Sequence, residues 1–187
     1  MIRAGRILLI LLLVRWTWLF LVWPMREDVI GASFLHLINL PFHEAGHILF
    51  SPFGELMTTL GGSLTQVLVP IICAIAFLTT SWNPFGAAVM GWWGGENLMD
   101  VAIYINDARS LQLTLLGGQT GAEVEGHDWE HILIMTNSLH LDHRIANIAQ
   151  FMGAAVMMGC IVWALIATLR AQDKDEPWLT GKLSGKL

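Results

Sequence analysis

Apolar residues in this chain gather into long, nearly unbroken runs, without the alternation of a half-buried strand or the narrow stripe of a soluble helix. Five runs stand out. They are 7–23, interrupted only by Arg15; 29–50, whose one charge is Glu44; 62–80, with none; 84–105, holding Glu96 and Asp100; and 146–169, with none. A helix crosses the hydrocarbon of a bilayer with roughly 20 apolar residues. The pattern predicts an all-α, polytopic transmembrane helix bundle of about five spans, forming a single domain over 1–169.

The polar residues fall between and after these runs. Segment 106–144 is the one long polar loop; it holds a Gly117-Gly118 turn, and 131–141 reads as a short helix on or dipping into the membrane. From 170 to 187 the chain is charged, carries Pro177 and is expected to form a disordered tail. Arg3 and Arg6 give the first run the basic start of a signal peptide. It outruns the usual apolar core of about 7–15 residues and no A-x-A site follows, so it reads as an uncleaved anchor with Trp16, Trp18 and Trp23 as interface residues. In the last run Ala155 and Gly159 form a small-xxx-small pair, either a packing face or a chance feature of a Gly/Ala-rich helix.

Composition agrees: 55% of residues are hydrophobic and 13% charged, about half the share of a soluble domain. A net charge of −5 without a Lys/Arg cluster argues against nucleic acid. Cys73 and Cys160 lie in apolar runs and offer neither a disulfide framework nor a C-x-x-C metal motif. The partner so implied is the lipid bilayer. The two loop sets carry nearly equal numbers of Lys and Arg, so sidedness is undecided.

Candidate chemistry sits in the second run. His43-Glu44-Ala45-Gly46-His47 is an H-E-x-x-H sequence, and random order would give about 0.01 such matches. On a helix, positions i and i+4 share a face, so both imidazoles can hold one zinc ion while Glu44 takes a proton from a polarised water. Two histidines and a glutamate in an apolar run are costly without partners. Pro41 either kinks the span or starts its helical segment. His36, about two turns before His43, suits packing or indirect support better than ligation.

Catalytic zinc keeps three protein ligands. If the second and fourth runs enter from the same side, His43 lies roughly 21 Å deep, His47 roughly 27 Å, Asp100 roughly 24 Å, Glu96 about 18 Å and Asp107 about 34 Å. Depth therefore selects Asp100 as the third ligand, with His127, oriented by Asp128, and Asp107 as alternatives. Glu96, Asp100 and Asp107 share one helical stripe. Asn97 and Gln66 are amides suited to stabilising an oxyanion or to bonding between helices.

These residues resemble a membrane-embedded zinc metalloprotease of the site-2 protease class over about Val29 to Asp107, in Phe42 to His47 and in a later Asn97-x-x-Asp100 span. More closely, the chain resembles a group of uncharacterised bacterial integral membrane proteins that carry His-Glu-Ala-Gly-His, Gly61 to Gln66, Glu96 to Asp100, Asp107 to Arg109 and His127 to Trp129. The resemblance implies cleavage of a membrane-protein substrate in or beside its spanning segments, at the bacterial inner membrane. Asp100 is followed by Val101 where that class carries glycine, and no PDZ-like insertion is present. The expectation is a zinc-dependent intramembrane metalloprotease. The alternatives are a scaffold with a closed, structural metal site that binds both Asp100 and His127, and a transporter or proton relay built on Glu96, Asp100 and Asp107.

Overall fold

The computed structural model describes residues 2–26 and 28–171. The tail expected over 170–187 lies, after Ala171, outside the described residues. Among the described residues are six α-helices and no strand. They are α1 (Ile2–Val22), α2 (Phe34–Phe50), α3 (Glu55–Thr79), α4 (Pro84–Asn106), α5 (Asp128–Met135) and α6 (Asp142–Arg170), with 3-10 turns at Ser51–Phe53 and Leu139–Leu141. The fold is all-α. The stretches Ile2–Val22, Glu55–Thr79 and Leu139–Arg170 are long and apolar enough to cross a membrane. The other two predicted spans differ in kind. Helix α2 has 17 residues, about 25 Å at 1.5 Å each, and α4 carries Glu96, Asn97 and Asp100 buried within the protein.

Local chemistry sets the boundaries. Trp23-Pro24 follows α1, where proline cannot continue the ladder. Ser33 caps α2 by accepting the His36 amide at 3.2 Å, so the helix begins after a run of turns instead of at Val29. Pro41 lies inside α2 rather than at its start; the helix runs through it with one rung missing just before His43. Pro52 sits in the turn that ends α2, and Gly54, at φ +94°, reverses the chain into α3. Helix α3 therefore starts seven residues before the predicted span. Asn83 accepts the Gly86 amide at 3.0 Å and Pro84 opens α4.

Helix α4 is central, with α6 along one side and α3 along the other; α2 pairs with α3, and α1 lies on the outer side against α6. The apolar core joins Leu13 and Phe20 of α1, Leu35 of α2, Trp92, Met99 and Ile103 of α4, and Met157 of α6. Trp92 Nε1 donates to Thr17 Oγ1 at 2.8 Å, which fixes α1 on α4. The outer surfaces of α1, α3 and α6 are apolar, with Leu8, Trp18, Ile72, Phe151 and Val162 exposed, while Asn39, Gln66, Glu96 and Asn97 lie inside. An apolar exterior around a polar interior is the arrangement a bilayer demands.

Helices α4 and α6 share the longest contact and approach closely. A Cβ at Gly95 would stand 2.9 Å from the Gly153 carbonyl oxygen, and one at Gly153 would stand 2.6 Å from that of Gly95. Ala155 and Gly159 face outward, and a Cβ at Gly159 would meet nothing within 4 Å. Among the described residues that pair packs against no helix of this chain, and the packing glycine of α6 within the bundle is Gly153.

Replacing Gly153 with leucine is expected to cost at least about 1–3 kcal/mol through overpacking, seen as a lower midpoint of thermal unfolding in mild detergent. Gly159→Ala should stay within about 0.5 kcal/mol of the parent. Equal midpoints for the two variants would refute the Gly95–Gly153 crossing.

Candidate metal centre

Helices α2 and α3 form a hairpin whose backbones touch beside the H-E-x-x-H sequence. A Cβ at Gly46 would overlap the Gly61 carbonyl oxygen, and one at Gly61 would stand 2.6 Å from that of Gly46. One residue on, a Cβ at Gly62 would lie 2.6 Å from Nε2 of both His43 and His47. Three glycines thus bring α3 under the two imidazoles and leave open the space in front of them.

The far side of each ring is anchored. His43 Nδ1 donates to Gln66 Oε1 at 2.7 Å, and His47 Nδ1 donates to the Thr58 carbonyl oxygen at 2.9 Å. A carbonyl oxygen only accepts, so each Nδ1 carries a hydrogen and Nε2 of each ring is the atom turned toward the other; it can hold a proton for a neighbouring carboxylate or, once that proton leaves, offer a lone pair to a metal ion. Asp128 Oδ2 completes the group, 2.9 Å from His43 Nε2 and 3.3 Å from His47 Nε2. Among the described residues this is the one cluster of three such side chains whose ligand atoms all lie within 4.8 Å of one another.

Several contacts hold Asp128 in place. It opens α5, and its amide donates to Tyr104 Oη on α4 at 2.9 Å. Trp129 Nε1 donates to Ser63 Oγ on α3 at 3.0 Å, and buried His127 caps α5 by accepting the Glu130 amide on Nδ1 at 3.1 Å. Burial by itself would raise the pKa of the Asp128 carboxyl. The hydrogen bonds from His43 and His47, with their charge, outweigh it and hold the carboxyl below the ordinary carboxylate value.

The donor set suits a zinc ion. Two atoms each about 2.0–2.2 Å from a tetrahedral ion stand roughly 3.3–3.6 Å apart. The His47–Asp128 pair, at 3.3 Å, has that spacing; the His43–Asp128 pair, at 2.9 Å, has that of a hydrogen bond and would open by a few tenths of an ångström around an ion. Two lone pairs and a carboxylate oxygen repel one another unless a positive charge lies between them. Imidazoles whose second nitrogen is tied to an acceptor are the usual partners of such an ion. The three side chains line a cavity of about 900 Å³ together with Glu44, Tyr104, His36 and residues 113–117 of the long loop. Glu44 is exposed to this space.

Asp100, predicted as the third ligand, is placed elsewhere. Its carboxylate accepts from His36 Nδ1 at 2.9 Å and from Asn39 Nδ2 at 2.9 Å. It also receives Gln66 Nε2 at 3.4 Å. Gln66 stands between it and His43, so Asp100 fixes the orientation of the amide that fixes the His43 tautomer. Depth along a helix could not foresee this, because it ignores both the direction a side chain points and a ligand arriving from another segment. Asp128, expected only to orient His127, meets the imidazoles itself.

His127 Nε2 faces Asp107 Oδ2 at 3.3 Å instead of the cluster, and burial pushes the His127 pKa below its ordinary value despite that neighbour. Asp107 closes the start of the loop, accepting the amides of Gln112 and Leu113 at 3.0 and 2.9 Å. Glu96 shares Asn39 with Asp100, receiving Nδ2 at 3.0 Å. Asn97 donates to its own helix at Trp93, so it lies outside the cluster. Tyr104 was not singled out in the sequence, although it is the one tyrosine of the chain and lies one helical turn beyond Asp100.

Asp128→Ala is expected to abolish stoichiometric zinc binding, measured by elemental analysis and chelator competition on the purified chain. Gly62→Ala should do the same by filling the space before both Nε2 atoms. Gln66→Ala and Asp100→Asn should retain zinc with affinity lowered about 10–100-fold, as for loss of a supporting hydrogen bond. Full zinc in Asp128→Ala with none in Asp100→Asn would restore the sequence-based ligand set. Comparison of the chain with family models, with curated proteins and with solved structures finds no match.

Proposed function

We propose that this protein is a zinc-dependent, membrane-embedded metallopeptidase of the bacterial inner membrane, with His43, His47 and Asp128 as ligands and Glu44 as general base. The observation that carries the reading is the convergence of two anchored Nε2 lone pairs and one carboxylate oxygen on the wall of an open cavity, with the glutamate of the same H-E-x-x-H sequence exposed to that cavity. Bound there, zinc would supply a Lewis acid and make hydroxide available near neutral pH.

The chain's own residues account for the rest. Glu44 takes a proton from the attacking water and returns it to the departing amine. Tyr104 Oη accepts the Asp128 amide, so its own O–H hydrogen is left to donate to the developing oxyanion of a bound peptide. Gln66, Thr58 and Asp100 hold the imidazoles in one tautomer through the cycle. The loop residues 113–117 and 124–126 line the cavity and govern access to it. The substrate is a peptide segment in or beside the membrane, reached from the cavity mouth.

A structural metal site is the weaker reading. It requires Asp100 and His127 to fill the coordination sphere, and both are engaged elsewhere. A relay through Glu96, Asp100 and Asp107 is weaker too, because Asp107 is spent on the loop backbone.

Glu44→Gln should keep stoichiometric zinc and lose cleavage of fluorogenic peptides that copy membrane-spanning sequences by about 10²–10⁴-fold. An active Glu44→Gln variant, or a zinc-loaded parent that cleaves none of a broad peptide panel, would remove the peptidase reading. Tyr104→Phe should lower kcat by about 10²–10³-fold with KM and zinc content retained. Loss of zinc in that variant would instead assign the hydroxyl to holding Asp128.

A further inference from the structure

Helix α1 presents two unlike faces. Its inner face, with Arg6, Ile10, Leu13, Thr17 and Phe20, is buried in the protein. Arg6 on that face lies 4.9 Å over the Phe85 ring. The outer face carries Leu8, Leu11, Trp18 and Val22, all exposed, and in the middle of this apolar stripe is Arg15, also exposed. Among the described residues Arg15 makes no hydrogen bond, ion pair or ring contact. Of the three arginines of α1, Arg3 lies in its first turn and Arg6 is provided for inside the bundle, whereas Arg15, in the apolar part, is not.

Helix geometry sharpens the difference. Arg15 is seven residues from Val22, about 10 Å, and thirteen from Ile2, about 20 Å. Side chains on a helix lean toward its N-terminus. The guanidinium therefore leans toward the distant end and the middle of the bilayer, away from the nearer boundary. Snorkelling to headgroups runs against that lean. A cation at this depth is stable when it meets an anion.

A second copy of the chain does not supply one. Symmetric pairing through this face sets Arg15 toward its own counterpart. Glu96 and Asp100 are buried, Glu44 opens on the cavity, and the exposed Glu55 lies at the very start of α3 and is paired with His131 at 2.9 Å. Among the described residues, therefore, no unpaired carboxylate faces outward from the middle of the other spans to receive Arg15.

We propose that the outer face of α1 docks a transmembrane helix of a different protein, one that carries a single Asp or Glu about 10 Å inside the boundary reached by Val22. Leu8, Leu11 and Trp18 supply the packing, and Arg15 selects the partner by charge. The inference is independent of the metal centre.

The probe is a synthetic 21-residue leucine-rich helix with one glutamate at the depth of Arg15, mixed with the labelled full chain in phosphatidylcholine vesicles and followed by energy transfer. The glutamate peptide should associate about tenfold more strongly than its all-leucine parent. Arg15→Leu should erase that difference, and Arg15→Glu should transfer the preference to a lysine peptide. Helical circular dichroism and an unchanged thermal unfolding midpoint of both variants confirm that the bundle is intact. Equal association of the glutamate and leucine peptides would overturn the proposal. So would equal association of a peptide with its glutamate at the opposite depth, or energy transfer between two copies of the chain that depends on Arg15.

Discussion

Everything at the candidate metal centre depends on how closely α2 and α3 approach, and that approach depends on missing side chains. Gly46 and Gly61 put backbone against backbone, and Gly62 leaves clear the space before His43 and His47. Any β-carbon at these positions would push α3 outward. Thr58 and Gln66 would then lose the imidazoles they hold. The turn through Pro52 and Gly54 serves the same end, since it reverses the chain within a few residues of His47 and lays the start of α3 alongside the motif.

Around this contact the interior reads as one hydrogen-bonded chain. Asp100, steadied by His36 and Asn39, receives the Gln66 amide; Gln66 accepts from His43; His43 turns its other nitrogen to Asp128. In a low-dielectric interior each such bond is strong and each omission costly. Asp100, the carboxylate that depth along the helix selects as a ligand, instead orders the amide that holds one of the imidazoles. The carboxylate that does face the imidazoles arrives on a short helix outside the long apolar runs, locked there by Tyr104 and Ser63.

The all-helical class and the membrane character were legible in the sequence because both follow from composition and run length, which are local properties. So were His43, Glu44 and His47, since a spacing of four on a helix fixes which side chains share a face. Element ends were less legible. Helix α3 extends beyond its apolar run because turn chemistry at Pro52 and Gly54 starts the helix, whereas hydropathy marks only the part that is greasy. The choice between Ala155/Gly159 and Gly153 was likewise beyond reach, because small residues occur on several faces of α6 and only contact with α4 distinguishes them.

By itself, then, the amino-acid sequence determined that this chain is helical, that it is suited to a bilayer, and that one helix offers two imidazoles and a glutamate on adjoining faces. Tertiary structure decided which carboxylate meets those imidazoles, which amide sets their tautomer, and which glycines permit it. The physical reason is that a ligand set is defined by directions converging in space. Asp128 lies 85 residues from His43, and no local periodicity carries information about a contact that exists only once α2, α3, α4 and α5 have packed.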